Sequence, residues 1–454
     1  MIKLNDEIIV TTEKLTSSGE AIARLGEEKL VVFIKNALCN EKLKIKIIHI
    51  NKRFLKGEII EIIEPSKYRI KPFCNIYNAC GSCNFQMCGY DYQIEQKNII
   101  LNELFKDITN NIKPIIKSPK TANWRHKVQF PVRETKVSKR VIIGYFKENS
   151  HDITDVKFCP LQPKIINEIT EFIRKNYIYG CYNEKNKKGL LKNILFRISN
   201  STNDILLTFV LNIKEEDFKS KINNNFTGFS DKLKSEFKNI KGIFVNFNNE
   251  NTNKILGDVT LKISGEDFIE ESLKDKKYKI GSTSFFQVNP ESAVNLFDIV
   301  KENIKENSTI LDAYGGVGAI GIYVSDKAKL ITLVEENKNA TLCAKENFKI
   351  NNVKSYEILT GDAKEQFLKF KNENKRFDYV ILDPPRSGCD LKSGGLDIIS
   401  SLARNIIYVS CNPMTLKRDS EYLLENGFNI KSISGVDLFP HTFHIECVAV
   451  FERK

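Results

Sequence analysis

"STILDAYGGVGAIGIYVSDK" (residues 308–327) decides the fold. Ile310 and Leu311 lead into an acid, Asp312; Tyr314 and the glycines 315, 316 and 318 follow, and a helical segment begins near Ala319. Glycines at the end of a strand let the backbone turn tightly and approach a ligand. The unit then repeats. "KLITLVEEN" reads as a strand, "KNATLCAKENFKIN" as a helix, "YEILTGDA" as a strand, "FDYVILDPPRSG" as a strand with its loop, and "NIIYVSCNP" as another strand. Strands alternating with helices predict βαβ units and a parallel sheet, with ligands held beyond the C-terminal strand ends.

Those ends carry acids in series. Glu335 closes the second strand, where a carboxylate can accept hydrogen bonds from both hydroxyls of a ribose. Asp362 closes the third, placed for an adenine amino group, and Asp383 opens "DPPR" after the fourth. Acids at strand ends also cap the next helix, but the series at one sheet edge predicts a nucleoside pocket. The glycine spacing is not the dinucleotide fingerprint, and no Gly-Lys-Ser/Thr phosphate loop occurs, so NAD and ATP give way to S-adenosylmethionine. In "DPPR" an arginine, Arg386, stands where amino-group methyltransferases carry an aromatic. No ring is there to stack on a flipped adenine or cytosine, which moves the target away from nitrogen.

"NIIYVSCNPMTL" (405–416) sets a thiol, Cys411, at the lip of an apolar strand. A cysteine there either packs as a small hydrophobe or attacks. A helix expected from about Thr415, together with nearby cations, should lower its pKa.

Upstream, residues 1–64 read as about five short strands, an OB-like barrel of the kind that binds single-stranded nucleic acid. Residues 65–280 mix strands and helices and read as a central α+β domain; residues 281–454 form the α/β domain. The net charge of +12 favours a polyanionic partner. It concentrates at 112–147, with ten Lys or Arg against Glu134 alone and with Trp124, Phe130, Tyr145 and Phe146 interleaved, a pattern that suits nucleic acid. No apolar run approaches a membrane span and the N-terminus shows no signal-peptide pattern, so the expected location is the cytoplasm. Eleven cysteines then point to ligation or catalysis rather than disulfides. Cys74, Cys80 and Cys83, with Cys159 downstream, can hold zinc or an iron–sulfur cluster, and Cys88 competes as a ligand. Cys39, Cys181, Cys343, Cys389 and Cys447 read as packing residues.

"FFQVNP" (285–290), "DAYGGVG" (312–318), "DPPRSG" (383–388), "SCNPMTLKRD" (410–419) and "HIECV" (444–448), in this order, resemble the RNA uracil-5-methyltransferases. The resemblance implies a multidomain chain: an N-terminal TRAM barrel, a central iron–sulfur domain and a C-terminal Rossmann-like S-adenosylmethionine methyltransferase. It implies that Gln287, Tyr314, Glu335 and Asp383 contact S-adenosylmethionine; Asp362 is added from its place at a strand end. Ala319 departs from relatives that carry Asn there. The resemblance favours a [4Fe–4S] cluster on Cys74, Cys80, Cys83 and Cys159. It makes Cys411 the thiolate that adds to uracil C6 and Glu446 the base that removes the C5 proton, with Arg386 or His441 orienting the uracil carbonyls. The uridine must leave its stack to reach the thiol, while the barrel and the Trp124–Lys127 segment hold the RNA backbone. The barrel with four cysteines favours 23S rRNA over tRNA, and a monomer is expected. The rivals are an amino-group methyltransferase, which does not need Cys411, and a non-catalytic RNA-binding or ribosome-assembly factor.

Overall fold

The computed structural model describes residues 2–26, 29–135, 137–389 and 395–454. Strands β1 (Glu7–Leu15), β2 (Ala21–Leu25), β3 (Leu30–Ile34), β4 (Lys42–Ile50) and β5 (Phe54–Glu64) close into a barrel in the order β1-β2-β3-β5-β4. Period-two patterning explains the closure. In β4, Leu43, Ile45 and Ile47 fill the interior while Lys42, Lys44 and Lys46 face outward.

Helix α1 (Tyr90–Phe105) then crosses to the far end of the chain, and β6 (Ile112–Ile116) pairs there with a C-terminal strand. Ile94, Ile100, Leu101 and Phe105 are its buried apolar stripe. Ile99 is 41% exposed, one position off the stripe. A single hydrophobic core runs from Val10 and Leu43 of the barrel through Leu101 and Phe105 to Ile433 and Phe451. Within it, Lys97 Nζ donates to Asp437 Oδ1 at 2.7 Å and to the His444 carbonyl at 2.9 Å, and Tyr90 donates to Asp437 Oδ2 at 2.8 Å.

The middle of the chain forms β7 (Lys127–Glu134), β8 (Val141–Phe146), β9 (Ile153–Asp155), α2 (Lys164–Asn176), β10 (Leu191–Ile198), β11 (Ile205–Leu211), α3 (Glu215–Lys221), α4 (Asn223–Glu236), β12 (Ile240–Phe247) and β13 (Val259–Gly265). Its sheet runs β13-β12-β11-β10-β7-β8-β9. Trp124 and Phe130, expected to face nucleic acid, are each only 1% exposed and pack inside. In β7 the apolar members of the basic segment alternate inward, leaving the charged residues to the surface and its clefts.

A hairpin, β14 (Phe268–Leu273) and β15 (Lys276–Gly281), leads into α5 (Pro290–Glu302), β16 (Ser308–Ala313), α6 (Ala319–Tyr323), β17 (Ala328–Glu335), α7 (Lys338–Ile350), β18 (Tyr356–Thr360), α8 (Ala363–Asn372), β19 (Phe377–Leu382), α9 (Gly395–Leu402), β20 (Ala403–Ser410), α10 (Pro413–Glu425), β21 (Phe428–Val436) and β22 (Glu446–Arg453). The sheet order is β18-β17-β16-β19-β20-β22-β21-β6. The expected strands are parallel, and β22 enters antiparallel between β20 and β21. The strand order reverses between β16 and β19, the switch point at which such sheets bind ligands.

Candidate active site

At that switch point, a cavity of about 380 Å³ opens beyond β16 and β19. Its lining includes Gln287, Asp312, Tyr314, Val317 and Asp383, together with Phe285 and Phe286. The chain coils here because Tyr314 (φ 63°), Gly316 (φ 56°) and Gly318 (φ 80°) are left-handed. Glu335 braces the coil: Gly316 N–H donates to its Oε2 at 3.0 Å, and Asn337 N–H to its Oε1 at 2.8 Å. Asp383 is half-buried at the cavity wall, and burial raises its pKa to about 7. Asp362 is exposed and caps α8 by accepting from Glu365 N–H at 2.9 Å; it is not among the cavity-lining residues.

The sequence reading missed Asp312 as a site residue. It is 1% exposed, accepts from Gly321 N–H at 2.9 Å, and is pushed up to about 7, first by burial and then by Asp383 and Glu335. Its signal was present, an acid directly before the glycine turn.

Cys411 and Glu446 come together by strand register. The last registered pair of β20 and β22 is Ser410 opposite Cys447, so Cys411 leaves the end of β20 beside Glu446, the first residue of β22, and the charge of Glu446 reaches the thiol. Asn412 starts α10 directly after the thiol, its side chain accepting from Met414 N–H at 3.1 Å, with Pro413 in the first turn.

The electrostatics differ from the expected lowering. Burial, then Glu446, raises the Cys411 thiol, with Arg386 opposing and Asp383 adding. The physical reason is a lip with two carboxylates against one guanidinium. Glu446 is 6% exposed, and burial followed by Asp383 raises it to about 8, again against Arg386. Thiol and carboxyl are therefore both held towards their protonated forms.

Arg386 is fixed to the thiol's own helix. Asn412 Nδ2 and Thr415 Oγ1 donate to its carbonyl at 3.2 and 3.4 Å. Arg418 donates to the Ser387 and Cys389 carbonyls, each at 3.0 Å. The wholly buried Asp419 accepts from Cys389 N–H at 2.9 Å and from Tyr408 O–H at 2.6 Å. His441, the other candidate for orienting uracil, is 7% exposed. Its Nδ1 lies 3.1 Å from Gln93 Nε2 and its Nε2 3.1 Å from the Thr121 carbonyl. Both ring nitrogens are committed, so His441 holds the loop before Glu446 instead.

Elsewhere, Cys74, Cys80, Cys83 and Cys159 line one cavity of about 330 Å³ with Ile76, Val156 and Leu161; Cys88 is not in that lining. Burial raises Cys83 to about 12 and lifts Cys80 and Cys159 as well. Arg125 lowers all three. Among the described residues, no group of three or more His, Cys, Asp or Glu is drawn together closely enough to hold a metal ion. Cys39, Cys181, Cys343, Cys389 and Cys447 are buried, as expected of packing residues.

A model of the tRNA (uracil-5-)-methyltransferase family matches residues 89–454, and a TRAM-domain model matches residues 3–60. The chain belongs to the RNA uracil-5-methyltransferase family. It is a multidomain S-adenosylmethionine-dependent RNA methyltransferase whose N-terminal barrel is a TRAM domain. An uncharacterized RNA methyltransferase of Oceanobacillus iheyensis is 33% identical, covering 100% of this chain and 98% of its own. Another, of Clostridium acetobutylicum, is 34% identical over 100% and 98%. The crystal structure of the Pyrococcus abyssi tRNA (uracil-54, C5)-methyltransferase in complex with S-adenosyl-L-homocysteine is 26% identical, with a TM-score of 0.74 over 98% of this chain and 100% of that one. Among the described residues no helix is long and apolar enough to cross a membrane.

Proposed function

We propose that this methyltransferase acts on C5 of an RNA uridine through a covalent bond between Cys411 and C6 of the base. The observation that carries the reading is the juxtaposition of Cys411 and Glu446 across β20 and β22, with Arg386 tied to the same helix. Uracil C5 is a weak nucleophile. The Cys411 thiolate adds to C6, and the C5–C6 π electrons move towards C5 and O4. C5 then takes the methyl group from the sulfonium, and S-adenosylhomocysteine leaves. Glu446, as a carboxylate, removes the C5 proton; the C6–S bond breaks and the thiolate returns. Covalent catalysis divides one difficult step into easier ones. The Arg386 guanidinium opposes the local acids, so it favours both the thiolate and the ionised Glu446.

Gln287, Tyr314, Glu335 and Asp383 are the residues we assign to S-adenosylmethionine, three of them from the cavity wall and Glu335 from behind the glycine coil. Asp362 stays a weaker candidate for the adenine, with a helix-capping duty already in hand. The division of labour we infer is a barrel over 1–64, a central domain over 65–280 that lends β6 to the C-terminal sheet, and a methyltransferase domain over 281–454.

We further infer a [4Fe–4S] cluster on Cys74, Cys80, Cys83 and Cys159. Four thiols on one apolar-walled cavity, with Arg125 as a counter-charge, suit a ligand set whose thiolates need compensation. Bound there, the cluster would cross-link the cysteine loop to the segment before α2; methyl transfer needs no electron from it. Anaerobic purification followed by iron and sulfide analysis tests this, with zinc as the contrary result.

The substrate we favour is 23S rRNA, on the resemblance carried by a barrel combined with four cysteines, in a cytoplasmic enzyme. A second reading, tRNA, rests on the Pyrococcus abyssi enzyme, whose whole length aligns with this chain. Incubation of unmodified tRNA and 23S transcripts with labelled S-adenosylmethionine, followed by nucleoside mass mapping, separates them. 5-Methyluridine in the 23S transcript alone supports the first reading, in tRNA alone the second, and methylated adenine or cytosine overturns both.

A further inference from the structure

Two cations face each other at the rim of the cofactor cavity without an acid to balance them. Lys127 of β7 and Arg197 of β10 are direct cross-strand partners. Arg197 is 3% exposed and Lys127 half-buried. Arg197 donates to the Phe286 carbonyl at 3.3 Å and to the Ser284 carbonyl, and its buried Nε has no partner. Glu271 of β14 is the acid whose field reaches Arg197. Its carboxylate is already taken by the N–H groups of Asn200 (2.7 Å), Ser201 (3.1 Å) and Ser272 (3.0 Å). Neither cation forms an ion pair among the described residues. Like charges directly opposed on a sheet are destabilising, and burying unpaired charge costs more.

This charge lies beside the mouth of the cofactor cavity. Arg197 holds the 284–286 loop, from which Phe285 and Phe286 line the cavity. Phe285 is 62% exposed, and the Lys127 ammonium sits 5.9 Å from its ring centroid.

We propose that Lys127, backed by the Arg197 charge, is the binding site for one RNA backbone phosphate beside the flipped nucleotide. This rests on the uracil-methyltransferase reading and adds the anchor that places the target strand over the cavity. A phosphodiester supplies the missing negative charge, and its monoanion suits a single ammonium with a second cation behind it. Burial and Arg197 hold the Lys127 amine down at about 7, so the free protein carries this charge only in part near neutrality. Phosphate binding draws the proton on, and RNA affinity falls as pH rises above 7. The charged groups facing the amine from the neighbouring elements are Arg197 on β10 and, behind it, the committed Glu271 on β14.

The test is binding of a short oligouridylate to the whole 454-residue chain, purified anaerobically, across salt concentration and pH. Lys127→Met should raise Kd on the order of tenfold and flatten the slope of log K against log salt by about 1. Lys127→Arg should keep the affinity and remove the decline between pH 7 and 9. S-adenosylmethionine affinity should hold in both variants. An unchanged salt slope in Lys127→Met, or a loss of S-adenosylmethionine affinity in place of RNA affinity, overturns the phosphate site. A Lys127 effect on binding alongside failure to form any Cys411–uracil adduct would overturn the enzymatic reading and leave this site standing.

Discussion

A single thiol near the C-terminus and four thiols of the central region stand in contrast, and burial raises Cys411 on one side and Cys80, Cys83 and Cys159 on the other. At the C-terminal lip a single thiol, Cys411, faces a carboxylate across a strand pair, with one guanidinium held nearby on a fixed loop. In the central region four thiols share one apolar-walled cavity, and Arg125 is their cation. Alike in cause, the two shifts call for different remedies. A lone raised thiol beside a guanidinium suits the nucleophile we propose; four thiols on one cavity suit the ligand set we infer. The number of thiols and the identity of their neighbours, rather than burial itself, separate a nucleophile from a ligand set.

The largest effect expected of this contrast is at Cys411. Cys411→Ala should lower methylation by about 10⁴-fold or more, since removal of a covalent nucleophile leaves only binding and positioning. Cys159→Ser should remove bound iron while the protein still forms the Cys411 adduct with RNA. Metal analysis and a denaturing gel on the same preparation check both; loss of adduct with iron retained in Cys159→Ser would break the contrast. Next, Glu446→Gln should slow turnover by about 10³-fold but trap methylated RNA on the protein, because addition precedes proton removal. A drop in rate without a trapped species removes Glu446 from the base role.

Smaller effects come from tuning. Cys411 is raised and Glu446 sits near 8, so both active forms are depleted at neutrality. Methylation at saturating RNA should therefore rise with pH from about 6 to 9. Arg386 lowers both groups, so Arg386→Met should move this limb to higher pH; a profile that stays in place assigns Arg386 to substrate contact alone. Smallest is Asp419→Asn, which keeps the shape of the clamp but removes a carboxyl that accepts from Cys389, Tyr408 and Arg418. We expect about 1–3 kcal/mol of lost stability and a lower kcat with little change in KM for S-adenosylmethionine.

The same contrast shows which parts of the molecule were legible in the sequence. The alternating elements after residue 308 gave the parallel sheet and placed Glu335 and Asp383 at its edge, because strand-end residues follow from local pattern. Cys411 stood out for the same reason. Its partner was legible only through the resemblance carried by "HIECV": Glu446 comes beside the thiol because β22 inserts antiparallel between β20 and β21, a long-range pairing that no periodicity encodes. The direction of the thiol's pKa was misread because it depends first on burial and then on Glu446 meeting Arg386 and Asp383 of a second, distant segment. Trp124 and Phe130 show the opposite failure, where composition suggested a surface: strand alternation in β7 buries Phe130, and Trp124 packs against Val156, Cys159 and Leu161. His441 was misjudged because its ring nitrogens are committed to Gln93 and Thr121, each more than 300 residues away in sequence.

The most direct test of the central claim is covalent trapping with 5-fluorouridine-substituted 23S rRNA and tRNA fragments in the presence of S-adenosylmethionine. Fluorine at C5 cannot leave as a proton does, so the C6–S bond should persist. The account predicts a protein–RNA band that survives denaturation, disappears in Cys411→Ala, and yields a peptide containing Cys411 joined to a single uridine. No such band from either RNA, with ordinary RNA still methylated by Cys411→Ala, would contradict it.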